Sequence, residues 1–321
     1  MTTTQDDTAC RPERIAALTR TAIGVLAAGA LVALAACGSE QVPRDPSSQA
    51  PSPSVTASPS SSTTTSAVPD RPRPTGSPRP MGHIHGLARD PATGDVLLAT
   101  HGGLFRLDPS GPTAVGPVVD LMGFTVAADG SYLASGHPGA GTDLPNPVGL
   151  LRSTDGGATW SSMSRGGESD FHGLTAGSGL VAGFDGGLRV SPDGRSWTAR
   201  DIPAEPHVLA LSPSGDRLLA TTREGLLLSR DAGVTWAELN TPALLVAVDW
   251  ADTDTIAGVD VTGRLVLSED GGATWRTGSN QLGEVTALHA SATVDGVELL
   301  VVVGGTVMRT TDLGSSVELL L

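Results

Sequence analysis

An all-β repeat architecture, a β-propeller of six blades, is the fold class this sequence predicts for residues 81–321, and three observations predict it. An octapeptide recurs along the chain, as STDGGATW at 153–160, SPDGRSW at 191–197, SRDAGVTW at 229–236, SEDGGATW at 268–275 and a degenerate TTDLGSSV at 310–317. Its aspartates, Asp155, Asp193, Asp231, Asp270 and Asp312, stand 38, 38, 39 and 42 residues apart, and a fixed period near 40 is that of propeller blades. Between the repeats, short Val/Leu/Ala runs alternate with Gly/Asp turns, which reads as strands.

Ahead of this domain lie two segments that are not fold. Residues 21–36 form an apolar run preceded by Arg11, Arg14 and Arg20 and closed by Leu34, Ala35, Ala36 and Cys37. A basic region, an apolar region and small residues before a cut describe an export signal. At 16 residues the run is shorter than the roughly 20 that span a bilayer. The four residues ending at Cys37 resemble the lipobox of bacterial lipoproteins. The resemblance implies a signal peptide over 1–36, with Cys37 acylated and holding the mature chain to the outer face of the cell membrane. Residues 38–80 are dominated by Ser, Thr and Pro and carry too little apolar surface to offset the entropy of ordering, so 37–80 is expected to be a disordered tether. Cys10 falls in the leader and Cys37 takes the lipid, which leaves the exported domain without a thiol.

The repeat S/T-x-D-x-G-x-T-W resembles the Asp-box of BNR repeats, found in sialidases, sortilin-type receptors and photosystem assembly factors. The resemblance implies four-stranded blades around a central channel; strands A to D are expected in each unit, with the box between C and D. Locally, Asp accepts N–H bonds across a tight turn, Gly supplies a positive φ, and Ser/Thr and Trp pin the hairpin to its blade. The box aspartates are thus expected to be structural. The A strands stack as HGLA from His85, FTVA from Phe124, HGLT from His172, HVLA from His207, LVAV from Leu245 and VTAL from Val285, a count of six.

This stacking places the histidines. His85, His172 and His207 open strand A, and His101 and His137 close strand B. In an antiparallel blade those two points share one end, so the five are expected to ring one mouth of the channel, opposite the boxes. Residues two earlier on strand A share its side by the strand period; they are His83, Asp170 and Glu205, and the other strand-B ends offer Asp185, Arg223 and Asp260. Imidazoles with carboxylates around a cavity suit a divalent metal, with His85, His101, His137, His172 and His207 as ligands. They equally suit a ligand pocket formed by His83, Asp170, Asp185, Glu205, Arg223 and Asp260. Between strands B and C of blade 2, residues 138–147 form an insertion placed to border the same mouth.

The opening strand HIHGL at 83–87 and ATHGGL at 99–104 resemble secreted bacterial BNR-repeat proteins described as glycosyl hydrolase-like or sialidase-like. A sialidase needs three arginines for its substrate carboxylate and a tyrosine nucleophile. The domain has a single tyrosine, Tyr132, five residues before His137 and therefore expected at the far end of the channel and on the other face. Arg223 is the arginine assigned to the mouth, with Arg165 and Arg264 in neighbouring loops. The expected function is therefore a membrane-anchored ligand-binding or protein-interaction module. The alternative is a glycoside hydrolase with a different carboxylate pair drawn from Asp170, Asp185, Glu205 and Asp260. With no lysine and a net charge of -14, the chain repels nucleic acid; a glycan or a protein is the expected partner.

Overall fold

The computed structural model describes residues 79–321. The expected signal segment over 1–36, Cys37 and the expected tether as far as residue 78 lie outside the described residues. Every regular element described is a β-strand, and the 24 strands form six antiparallel four-stranded sheets, each from one contiguous stretch of chain.

Blade 1 is β1 (Ile84–Arg89), β2 (Val96–Thr100), β3 (Gly103–Asp108) and β4 (Gly111–Val115). Blade 2 is β5 (Val119–Val126), β6 (Tyr132–Pro138), β7 (Leu150–Ser153) and β8 (Ser161–Ser164). Blade 3 is β9 (Gly173–Gly177), β10 (Leu180–Phe184), β11 (Leu188–Ser191) and β12 (Thr198–Arg200). Blade 4 is β13 (Pro206–Leu211), β14 (Leu218–Thr222), β15 (Leu226–Ser229) and β16 (Ala237–Leu239). Blade 5 is β17 (Leu245–Trp250), β18 (Ile256–Asp260), β19 (Arg264–Ser268) and β20 (Arg276–Gln281). Blade 6 is β21 (Val285–Thr293), β22 (Gly296–Val303), β23 (Thr306–Thr310) and β24 (Glu318–Leu319). The first strand of each blade meets the first strands of both neighbours, and β21 meets β1, so the ring closes around an axis lined by these strands.

The second strands read as nearly unbroken apolar runs, VLLAT in β2, LLATT in β14 and IAGVD in β18, because both their faces are covered by adjacent blades and every residue is buried. The outermost strands β12 and β16 carry polar sequences and stay mostly exposed. The core is accordingly divided among the junctions between blades. Leu97, Leu104, Leu121 and Leu151 pack between blades 1 and 2, and Leu219, Leu226, Leu245 and Val266 between blades 4 and 5. Each such leucine contributes about 1.5–3 kcal/mol by leaving water.

The recurring hairpins staple these junctions. Ser153 Oγ donates to Asp155 Oδ1 at 2.8 Å, and Asp155 accepts the Thr159 N–H at 2.9 Å and its hydroxyl at 2.6 Å. The same set recurs around Asp231 and Asp270. Two of the tryptophans depart from expectation by tying the hairpin to the preceding blade, whereas Trp275 donates to the Gly272 carbonyl of its own hairpin at 3.2 Å. Trp197 donates to Ser164 Oγ of blade 2 at 2.9 Å, and Trp236 donates to the Asp201 carbonyl at the end of blade 3 at 3.2 Å. Gly116, just after β4, lies so close to the blade 2 hairpin that a Cβ there would stand 2.1 Å from the Gly157 carbonyl oxygen.

Strand β24 supplies the last strand of blade 6, as the repeat count requires, and Leu320 and Leu321 join the core between blades 6 and 1. The starts of first strands, the ends of second strands and the second-to-third turns share one face. The Asp hairpins, between third and fourth strands, occupy the other.

Candidate functional site

The geometry of the mouth is set by a recurrent β-bulge. In five blades the pairing of the first two strands skips one residue, between Ile84 and Gly86, Leu121 and Gly123, Pro206 and Val208, Leu245 and Ala247, and Val285 and Ala287. The bulged residues are His85, Met122, His207, Val246 and Thr286; in blade 3, His172 holds the same place just before β9. The stacking expected from sequence is therefore corrected in three blades. Met122, Val246 and Thr286 stand level with His85, not Phe124, Leu245 and Val285, because an unpaired residue shifts the register without leaving a mark in the hydrophobic pattern.

With that register, the position two before the bulge reads His83, Asp120, Asp170, Glu205, Leu244 and Glu284. Asp120 and Glu284 were missed by sequence reasoning. The HGLA-to-FTVA alignment hid Asp120, and its pairing opposite His137 emerges only once the bulge at Met122 is placed. At the end of the second strand the level of His101 is shared by His137 and Arg223.

Asp185 and Asp260 fall one residue earlier, at the level of Thr100 and Thr222, and a shift of one turns a strand side chain to the other side. The expectation that they join the mouth as ligands is not matched by their contacts. Asp260 Oδ1 caps its own turn by accepting the Thr262 and Arg264 N–H groups at 2.7 and 3.0 Å, as Thr100 and Thr222 do in their blades. Burial opposes charge on Asp260, but the Thr262 hydroxyl and these N–H groups outweigh it and hold the carboxyl below the usual range. Asp185 borders the channel, yet its side chain is only 6 % exposed and is held by Ser169 Oγ at 2.5 Å, by Arg189 at 3.0 Å and by Arg165 at 3.7 Å. Arg165 is also tied locally, its guanidinium bonded to Ser169 and 3.3 Å from Glu168.

Two clusters form at adjacent blade junctions. Between blades 1 and 2, His101 Nδ1 lies 2.9 Å from Asp120 Oδ1, and His85 Nε2 lies 3.1 Å from His101 Nε2 and 3.4 Å from its Nδ1. The His83 ring packs edge-on to His101 with centroids 5.8 Å apart. Burial first, then the neighbouring His101, lower the pKa of His85, against the opposing pull of Asp120. Between blades 2 and 3, Asp170 Oδ2 sits 3.2 Å from His137 Nε2 and 2.8 Å from His172 Nε2. The 138–147 insertion reaches this cluster through Asn146, whose Oδ1 is 2.8 Å from His137 Nδ1. Both clusters repeat one unit, a histidine ending the second strand of one blade against an aspartate entering the next.

The channel below is a cavity of about 1150 Å³ walled by the first strands of all six blades, with His85, His172, His207, Asp170, Glu205 and Glu284 at its rim and upper wall. A smaller recess of about 450 Å³ between blades 4 and 5 is lined by Arg223, Glu205, His207 and Leu244. Imidazoles and carboxylates follow the mouth from blade 1 to blade 4 and resume with Glu284 of blade 6, and the exposed apolar Leu244 and Val261 interrupt them at blade 5.

Several solved structures share this architecture. A gluconolactonase of Xanthomonas campestris superposes with a TM-score of 0.53 at 13 % identity, covering 73 % of this chain and 85 % of that one. The extracellular domain of a protein described as a one-component system of B. thetaiotaomicron gives 0.52 at 10 % identity, covering 74 % of this chain and 33 % of that one. YCF48 bound to a D1 peptide gives 0.48 at 17 % identity, covering 74 % and 82 %. What the first two share with this chain is the fold. No protein-family model matches the chain, and no curated protein matches it by sequence.

Tyr132 has no part in the mouth. It begins β6 at the opposite end, is 1 % exposed, and donates to Asp90 Oδ2 at 2.8 Å, joining blades 2 and 1. Burial, and then the Asp90 carboxylate, raise its pKa well above that of ordinary tyrosine, the reverse of an activated nucleophile. One further pair escaped the sequence reading. Farther along the channel wall His289 Nδ1 lies 3.1 Å from Asp249 Oδ2, which also accepts the Ala290 N–H at 2.9 Å and so ties blade 5 to blade 6.

Proposed function

We propose that this protein is a lipid-anchored, extracytoplasmic ligand-binding module, held to the cell membrane through Cys37 on its Ser/Thr/Pro tether, and that its ligand enters the histidine-lined mouth. The observation that carries the reading is the convergence of two His–Asp clusters, His85/His101/Asp120 and His137/Asp170/His172, on the open end of one cavity. A ligand with polar groups and one apolar face matches this rim, its polar groups over the His–Asp clusters and its apolar face against Leu244 and Val261. A glycan and a peptide both have that character.

The alternative is a glycoside hydrolase. Of the carboxylates it would draw on, Asp185 and Asp260 are committed to structure, which leaves Asp170 and Glu205, with Asp120 and Glu284 now beside them on the same rim. The test uses the full chain, screened for binding to glycan and peptide arrays and for turnover of fluorogenic glycosides. Binding that is lost in His172→Ala and Asp170→Asn, without turnover, is the expected result. Turnover abolished by Asp170→Asn or Glu205→Gln would replace the binding reading with the enzymatic one. Binding indifferent to both mouth substitutions would remove the mouth as the site. Mass analysis of the membrane fraction tests the anchor, with acyl groups on Cys37 expected and their absence contrary to it.

A further inference from the structure

We infer that His85, His101 and Asp120 form a binding site for one divalent first-row transition-metal ion at the junction of blades 1 and 2, with a coordination position left open toward the channel. The inference deepens the mouth reading and rests on it for its place in function, though not for its chemistry.

The three side chains come from three separate points of the chain: a bulge in β1, the turn after β2, and the entry of β5. One ligand atom from each lies within 4.8 Å of the others. Individual edges are 3.4 Å between His85 Nε2 and His101 Nδ1, and 2.9 Å between His101 Nδ1 and Asp120 Oδ1. Two ligands on a tetrahedral ion with bonds near 2.0–2.1 Å stand about 3.3 Å apart. These two edges bracket that separation and the third pair lies within 4.8 Å, so small side-chain rotations would bring the three donors onto one ion.

The bonding pattern supports this. His85 Nε2 stands 3.1 Å from Nε2 and 3.4 Å from Nδ1 of the nearly perpendicular His101 ring, so neither His101 lone pair points at it and no linear hydrogen bond joins the two rings. A metal ion held by His101 Nδ1, with the ring proton on Nε2, would take His85 Nε2 and Asp120 Oδ1 as its other ligands. The chain's net charge of -14 favours cation approach.

The five histidines anticipated as ligands do not act as one ring. At the second cluster a single oxygen, Asp170 Oδ2, lies between His137 and His172 and fills the centre a metal would need. His207 lines the channel and recess but belongs to neither cluster. Two imidazoles and one carboxylate suit zinc, cobalt or nickel, and not calcium or magnesium, which take oxygen donors.

The experiment is calorimetric titration of the detergent-solubilised full chain, stripped with a chelator, using Zn2+, with Mg2+ and Ca2+ as controls and Co2+ as a spectroscopic probe. One equivalent of Zn2+ is expected, with visible absorption from Co2+ in low-symmetry coordination and no response to Mg2+ or Ca2+. His85→Ala, His101→Ala and Asp120→Asn should each weaken Zn2+ binding at least 10-fold, while His207→Ala leaves it unchanged. Asp120→Asn keeps the side-chain size, so its loss of binding with an unchanged melting curve cannot be put down to unfolding. Absence of Zn2+ binding, or binding indifferent to the His85→Ala/His101→Ala double variant, overturns the metal site. If glycan or peptide binding persists in that case, the mouth reading stands alone. If Zn2+ binds as expected and no ligand is bound at the mouth, the mouth reading falls and the metal site remains.

Discussion

Glu298 of blade 6 accepts the Arg89 Nε–H of blade 1 at 2.7 Å, and its other oxygen takes Arg309 from its own blade. Glu298 is 4 % exposed. Burial opposes its charge, but Arg309 and Arg89 outweigh that and keep its carboxyl below the usual range. No strand is shared between the first and last blades, so this ion pair and the apolar junction around Leu300 and Val307 close the ring. Glu298→Ala leaves two guanidinium groups facing a buried gap and should cost about 3 kcal/mol. For a domain of this size that corresponds to a fall of roughly 6–12 °C in Tm. Thermal unfolding followed by circular dichroism checks it, with Glu298→Gln falling between the two.

Asp155, Asp193, Asp231 and Asp270 all have pKa values of about 2. The Thr hydroxyl four residues on is the largest cause in three of them, and the Ser196 N–H in Asp193. In the unfolded chain an aspartate titrates near about 3.9. A depressed folded-state value means that the stabilisation is complete above the unfolded pKa and is lost as pH falls through the folded one. Urea midpoints should therefore be flat from neutral pH to about 5 and drop between about 4 and 2. The drop should be shallower in Asp231→Asn, which has already lost one such group.

Gly116 and Gly130 both have positive φ, 62° and 79°, but differ in surroundings. A Cβ at Gly130 meets open space, and one at Gly116 meets the Gly157 carbonyl oxygen at 2.1 Å. Gly130→Ala should cost about 1 kcal/mol from backbone conformation alone, and Gly116→Ala about 3 kcal/mol or more, because the blade 2 hairpin must move off blade 1. Equal costs for the two, measured by chemical denaturation, would contradict the close approach.

Tyr132→Phe removes the hydroxyl that joins blade 2 to Asp90. The expected loss is about 1–2 kcal/mol of stability, the cost of an unsatisfied buried acceptor. Ligand binding, or any glycosidase turnover, should be unchanged. Abolished turnover in a variant that remains folded would return Tyr132 to the chemistry.

How much of this was legible in sequence is best seen at Asp120 and Asp260. The aspartate period and the six apolar first strands gave the number of blades, and antiparallel order then placed His85, His101, His137, His172 and His207 on one face. Asp260 looked like a rim residue because it ends a strand, and it is a turn cap because it ends it one residue early. Asp120 drew no reading because the stacking starts blade 2 at Phe124, and it is a partner of His101 across a blade junction.

The sequence by itself determined the repeat, the strand order and the face on which the histidines gather, since these follow from local turn chemistry and from the twofold period of a strand. Only the tertiary structure decided which of them meet. A bulge adds one residue without altering composition or hydrophobic pattern, yet it resets the register of everything before it. The contacts of His101 with Asp120 and of His137 with Asp170 depend in addition on how two neighbouring blades pack, a distance that no single blade's sequence contains.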